Sequence, residues 1–191
     1  MIPLLVNKLD WNLLTAVSTI ILAVTGFLAL VLARQQLKQN SEEAQVQHLL
    51  TLSAQYEQEP MVSYRKTCAK KRLAKEKYPP EEDRILSFFE TVALLVNRGY
   101  LKDKDVWETF STEMFPLYAD AKNAIMEMKK DDPPVYANLL SLMKRLETIE
   151  FSMHGTASMP SDDDIKEFWQ DEVGVMVGTP SRHRKRQRVS H

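Results

Sequence analysis

The chain opens with one unbroken apolar run, and apolar residues then recur every three or four positions. Residues 11 to 33, WNLLTAVSTIILAVTGFLALVLA, carry no charged side chain, and Arg34 ends the run. A helix rises ~1.5 Å per residue, so ~20 apolar residues cross the ~30 Å hydrocarbon layer of a bilayer. The run therefore predicts a transmembrane helix. Two other readings compete. Val31 and Ala33 are small enough for signal cleavage, but the apolar core of a signal peptide usually spans only ~7–15 residues. A buried helix of a soluble domain rarely goes this far without a charge. Along the run Thr15, Thr19, Ala23, Gly26, Ala29 and Ala33 recur at three- and four-residue steps. Small residues let helices approach closely in lipid. Thr19, Ala23, Gly26 and Ala29 are thus candidates for self-association, against the plainer reading that small residues are common in spans.

Beyond Arg34 no Gly or Pro interrupts the chain before Pro60, and Leu37, Ala44, Val46, Leu49, Leu50 and Tyr56 keep an intermittent helical spacing. The span is expected to continue as a polar stalk helix over 34–58. A bundle is expected over 60–150. Its first helix, 60–77, places Met61, Tyr64, Cys68 and Leu73 on one side. Its Lys and Arg residues fill the rest, as a solvated face or a contact with anionic lipid heads.

Pro79-Pro80 and the acids Glu81, Glu82 and Asp83 mark the next helix start. RILSFFETVALLVNRGYL is apolar nearly all round, as suits the centre of a bundle, and Gly99 is free to take a left-handed cap. Asp103 is expected to cap the following helix, which Pro116 kinks or restarts. VYANLLSLMKRLETIEF is the last firm helix. After Phe151 order is expected to fade. Ser161 and Asp164 form a capping box for a short acidic amphipathic helix, and a disordered basic tail ends the chain.

The stretch RILSFFETVALLVNRGYLKDKDVWETFSTEMFPLY, with Phe88, Phe89, Glu90, Leu95, Gly99 and Trp107, resembles the bacterial family catalogued as domain of unknown function 4760. The likeness covers roughly residues 10 to 150. It implies an amino-terminal span, a polar helix and a helical domain. It carries no activity, cofactor or catalytic residue to transfer.

Charge changes the picture locally. The net charge of −1 leaves no global basic field for nucleic acid. Yet RHRKRQR near the end holds Arg182, Arg184, Lys185, Arg186 and Arg188 without an acid. These are candidates for contact with lipid, a partner or the acidic 161–172 segment. No aromatic side chain interleaves them, so a stacking nucleic-acid site is not indicated. Arg184 or Arg186 with His191 matches the spacing of a helical RNase pair, but a floppy tail lacks the fixed geometry such a pair needs. With Cys68 the only cysteine, no internal disulfide forms. The histidines are scattered, and no metal or phosphate motif is present.

Glu90 is the most conspicuous single residue, a carboxylate in the most apolar helix. It is either an acid with a raised pKa or a buried polar lock, ion-paired or hydrogen-bonded to Arg84, Arg98 or another helix. The pattern favours the lock.

These readings converge on an all-α protein: an N-terminal flank (1–10), a single transmembrane helix (11–33), a stalk (34–58), a helical bundle (60–150), and a linker, acidic helix and tail (151–191). No catalytic, cofactor-binding or metal site is expected. The function expected is that of a membrane-anchored interaction or regulatory protein that self-associates. It would sit in the bacterial inner membrane, bundle in the cytoplasm, with the bilayer, further copies and a protein partner as contacts. The alternative is an oligomeric membrane effector, pore-forming or of RNase type.

Overall fold

A computed structural model of the chain describes residues 11–155 and 159–175. Among these, six helices and no strand are found: α1 (Trp11–Tyr56), α2 (Met61–Leu73), α3 (Pro80–Asn97), α4 (Asp103–Asp131), α5 (Ala137–His154) and α6 (Asp162–Val173). The chain divides between Ala44 and Gln45 into two compact units.

In the first unit, α1 presents its apolar side chains outward. Leu22 and Leu30 are each 71% exposed. Two of its hydroxyls bond back within the helix. Thr19 Oγ1 donates to the Thr15 carbonyl at 2.8 Å, and Thr25 Oγ1 to that of Ile21 at 2.8 Å. Such back-bonding keeps a hydroxyl tolerable where no water competes.

The second unit is the bundle, with the last turns of α1 built into it. Tyr56 ends α1 and is buried. Its ring meets Phe88, Phe89 and Phe110 at centroid distances of 5.5, 5.3 and 6.0 Å. Tilted and edge-on rings suit the aromatic quadrupole. Around this knot α3 packs on α5 and α2, α4 on α5, and α6 on α2 and α4.

Helix ends follow the chain's local chemistry. Pro80 opens α3 with Glu81, Glu82 and Asp83 in the first turn. At its other end Gly99 sits at φ 76°, its N–H donating to the Val96 carbonyl and that of Tyr100 to Leu95, both at 2.9 Å. That is the Schellman pattern, for which a residue without Cβ is the easy choice. Pro116 lies inside α4, which runs on through it.

Three expectations are corrected. Asp103 does not cap α4. It lies in the first turn, and Asp103 Oδ1 accepts from Arg145 Nε at 2.9 Å. On α2, Leu73 is exposed and Arg65 points inward, because α6 supplies a partner for the arginine. The bundle also exceeds 60–150 at both ends. Tyr56 joins its core from α1, and Phe168 and Trp169 of α6 join from beyond Phe151.

Phe89 is fully buried at the centre of the aromatic knot. Phe89→Ala is expected to lower the unfolding free energy by about 3–5 kcal/mol, measured by urea titration of the full chain in detergent.

Candidate functional site

The bundle's interior is unusual for its charges. Arg65, Glu82, Glu113 and Glu172 are each no more than 1% exposed. A charge in such a place demands a partner.

Arg65 is the most completely engaged. Its Nε donates to Glu172 Oε2 and its Nη2 to Glu172 Oε1, each at 2.7 Å. Its Nη1 donates to the Tyr56 carbonyl at 2.9 Å, and its guanidinium carbon stands 4.1 Å from the centroid of the Tyr56 ring. One side chain of α2 thus closes the carbonyl end of α1, where a cation suits the helix dipole, and binds the last turn of α6. The planar fork of arginine matches a carboxylate in two parallel bonds, which an ammonium does not reproduce. Burial works against the charge, but Tyr56 and Glu172 more than offset it, so the Arg65 pKa is raised. Glu113 of α4 adds to the negative field around Arg65 and accepts from Thr112 Oγ1 at 2.7 Å.

A second cluster lies where α2, α3, α4 and α6 meet. Arg72 Nη2 donates to Glu82 Oε1 at 2.8 Å. Arg72 Nε is 3.1 Å from Asp120 Oδ2, near enough for an ion pair, though its N–H is not aligned for a hydrogen bond. Trp169 Nε1 donates to the same Asp120 oxygen at 2.7 Å. The second oxygen of Glu82 is buried without a hydrogen-bond partner among the described residues. Burial raises the Glu82 pKa to about 7, with the Arg72 contact working against it.

Glu90 belongs to a third, shallower network. It is half-buried, not buried. Its Oε1 accepts from Asn138 N at 3.1 Å and Asn138 Nδ2 at 2.7 Å, and its Oε2 from Leu139 N at 2.7 Å. No cation is among its partners in the described residues, so the ion-pair reading is replaced by a helix-start contact. The carboxylate satisfies free amides in the first turn of α5 from across the α3–α5 interface. The chain continues through Asn97 Nδ2 to Asn138 Oδ1 and Arg145 Nη2 to Asn97 Oδ1, each at 2.8 Å. Just before α5, Tyr136 takes the left-handed conformation at φ 49°, and its hydroxyl donates to Asp83 of α3.

The remaining sequence candidates do not join these clusters. Thr19, Ala23, Gly26 and Ala29 are exposed along α1. Arg182, Arg184, Lys185, Arg186 and Arg188 lie outside the described residues, as does His191. Among the described residues no group of three or more His, Cys, Asp or Glu side chains is placed to hold a metal ion.

The buried ions were missed on sequence, although a signal exists. Glu172 follows Ile165, Phe168 and Trp169 at helical spacing, and Arg65 falls between Val62, Ala69 and Arg72 in the same rhythm. A charge on an apolar stripe is the mark of an internal partner.

Together the fold and these clusters define an all-α bundle locked by buried ion pairs, on a chain with one long apolar helix among its described residues, near the N-terminus. The chain belongs to the family described as "Domain of unknown function (DUF4760)", whose model matches residues 15–146. Comparison with curated proteins and with solved structures finds no match. The matched segment contains Arg65, Arg72, Glu82, Glu90 and Asp120. Glu172 and Trp169 lie beyond it.

Two predictions follow from this geometry. Glu172→Leu alone strands a buried guanidinium and is expected to cost about 3–5 kcal/mol, whereas Arg65→Met with Glu172→Leu costs much less than the sum of the single changes. Urea denaturation of the four proteins measures the coupling. Glu90→Ala removes the contact to the start of α5 and is expected to cost about 1–2 kcal/mol, as for loss of a helix cap, read by the same titration.

Proposed function

We propose that the protein is a membrane-anchored helical interaction module that assembles with copies of itself and presents its bundle to a protein partner. One observation carries this reading. α1 is the one helix in the described residues long and apolar enough to cross a membrane, and it buries none of its apolar window within the chain. Water is a poor solvent for that surface, and acyl chains are a good one. The bundle, by contrast, buries most of its large apolar residues.

Arg34 and Lys38 follow the apolar stretch directly. Positive charge stays on the cytoplasmic side, so the bundle faces the cytoplasm of a bacterial inner membrane. Self-association is supported by the small residues on α1. A Cβ placed on Gly26 meets nothing within 4 Å. That face is therefore open, and a neighbouring helix can approach the backbone there. The buried polar clusters described above hold the bundle together, and their partners are other groups of the same chain. This is the arrangement of a scaffold and supports a binding role over a catalytic one.

The full-length chain is expected to stay with the membrane pellet after an alkaline carbonate wash. Release into the supernatant with the amino-terminal helix still attached rules out the anchor. In membranes, chemical crosslinking is expected to give discrete oligomers, reduced several-fold by Gly26→Leu. The open space at Gly26 lets that substitution leave the chain's own fold intact.

A further inference from the structure

The junction of α2, α3, α4 and α6 holds more negative than positive charge. Two carboxylates, Glu82 and Asp120, share one guanidinium, that of Arg72. Glu82 is fully buried. Its Oε1 takes the hydrogen bond from Arg72, and its buried Oε2 has no hydrogen-bond partner among the described residues. An ionised carboxylate whose second oxygen is buried and unsatisfied is costly, and a proton on that oxygen lowers the cost by removing the charge. The cluster is then neutral: Arg72 against Asp120, with Glu82 as an uncharged acceptor.

The groups around Glu82 can be named element by element. From α2 come Arg72 and Cys68, whose thiol pKa is raised by burial and by Glu82. From α4 comes Asp120, which disfavours a second charge. Tyr78, just before α3, has its pKa raised by burial and feels the charge of Glu82 as well. α6 contributes Trp169, whose indole is held by Asp120 Oδ2. The same Asp120 oxygen is thus bound by α6 and paired with Arg72, so the state of Glu82 bears directly on how firmly α6 is held.

We propose that this junction is a proton-operated latch: Glu82 carries a proton on Oε2 when α6 is docked, and loss of that proton loosens α6 from α2 and α4. The sign follows from linkage. Undocking opens the cluster to water, where the Glu82 carboxyl returns towards its ordinary pKa of about 4.3. The docked form keeps its proton up to about pH 7. Between those two values the docked form binds more protons than the open one, so docking weakens as pH rises through that window and levels off above it. The element it would release, α6, lies beyond the family-matched segment, and its release uncovers the face of α2 that holds Arg65.

The test is hydrogen exchange of the α6 amides in the full chain, in detergent, between pH 5.5 and 8, corrected for the intrinsic pH dependence of exchange. In the wild type the opening constant of α6 is expected to rise roughly ten- to thirtyfold across that range. Glu82→Gln keeps an acceptor for Arg72 but no titrating proton, and is expected to flatten the rise. Asp120→Asn keeps an acceptor for Trp169 while removing the competing charge, and is expected to shrink the rise by lowering the Glu82 pKa. Unchanged α6 opening in the wild type overturns the latch, and so does a full rise in either variant. Because exchange is read within α6, the outcome is independent of whether the chain spans a membrane.

Discussion

A single guanidinium sets the terms for the rest of the bundle. Arg65 cannot lie in an apolar interior alone, and the structure meets it from two sides. Tyr56 gives a backbone carbonyl and a ring face, and Glu172 gives both carboxylate oxygens. The end of α1, the first half of α2 and the last turn of α6 are therefore fixed to one another by geometry as well as by burial. Apolar contact tolerates sliding. A two-pronged ion pair fixes register, and that is the best-attested use of buried charge. The aromatic knot of Tyr56, Phe88, Phe89 and Phe110 supplies the nondirectional part of the same joint.

The α3–α5 pairing works on a different principle. Asp83, Glu90 and Asn97 recur every seven residues on α3, so they form a row along one side of the helix. Asp83 meets Tyr136, Glu90 meets the first turn of α5, and Asn97 meets Asn138 and Arg145. This row fixes where α5 begins. It also holds Tyr136 in a left-handed conformation that costs an L-residue about 1–2 kcal/mol. The polar row thus does for α5 what a cap residue does at an ordinary helix start.

Much of this was legible in the sequence, because periodicity reports which side of a helix is buried. The apolar leader, the central helix around Phe88 and Phe89, the left-handed turn at Gly99 and the Ser161–Asp164 capping box are all local, and each was visible in a few residues. Long-range pairing was not. The row of bases on α2 suggested a solvated face, yet Arg65 lies inside and Arg72 half inside, because acids distant in the chain come back to meet them. Glu90 showed itself as a residue needing a partner, but nothing local disclosed that backbone amides of α5 would serve. The acidic helix near the end suggested an appendage by its composition, while its buried face, Phe168, Trp169 and Glu172, made it part of the core.

The separation of Arg65 and Glu172 by 107 residues has a consequence for how the molecule is made. Contacts so distant along the chain form late, since a large loop must close before they contribute. During synthesis the arginine emerges well before its counter-ion, which follows 107 residues later. Until then helices α1 to α5 hold Arg65 without its carboxylate partner, with Tyr56 and Glu113 beside it. Closure waits for Glu172, and a polypeptide cut before it leaves Arg65 without its carboxylate.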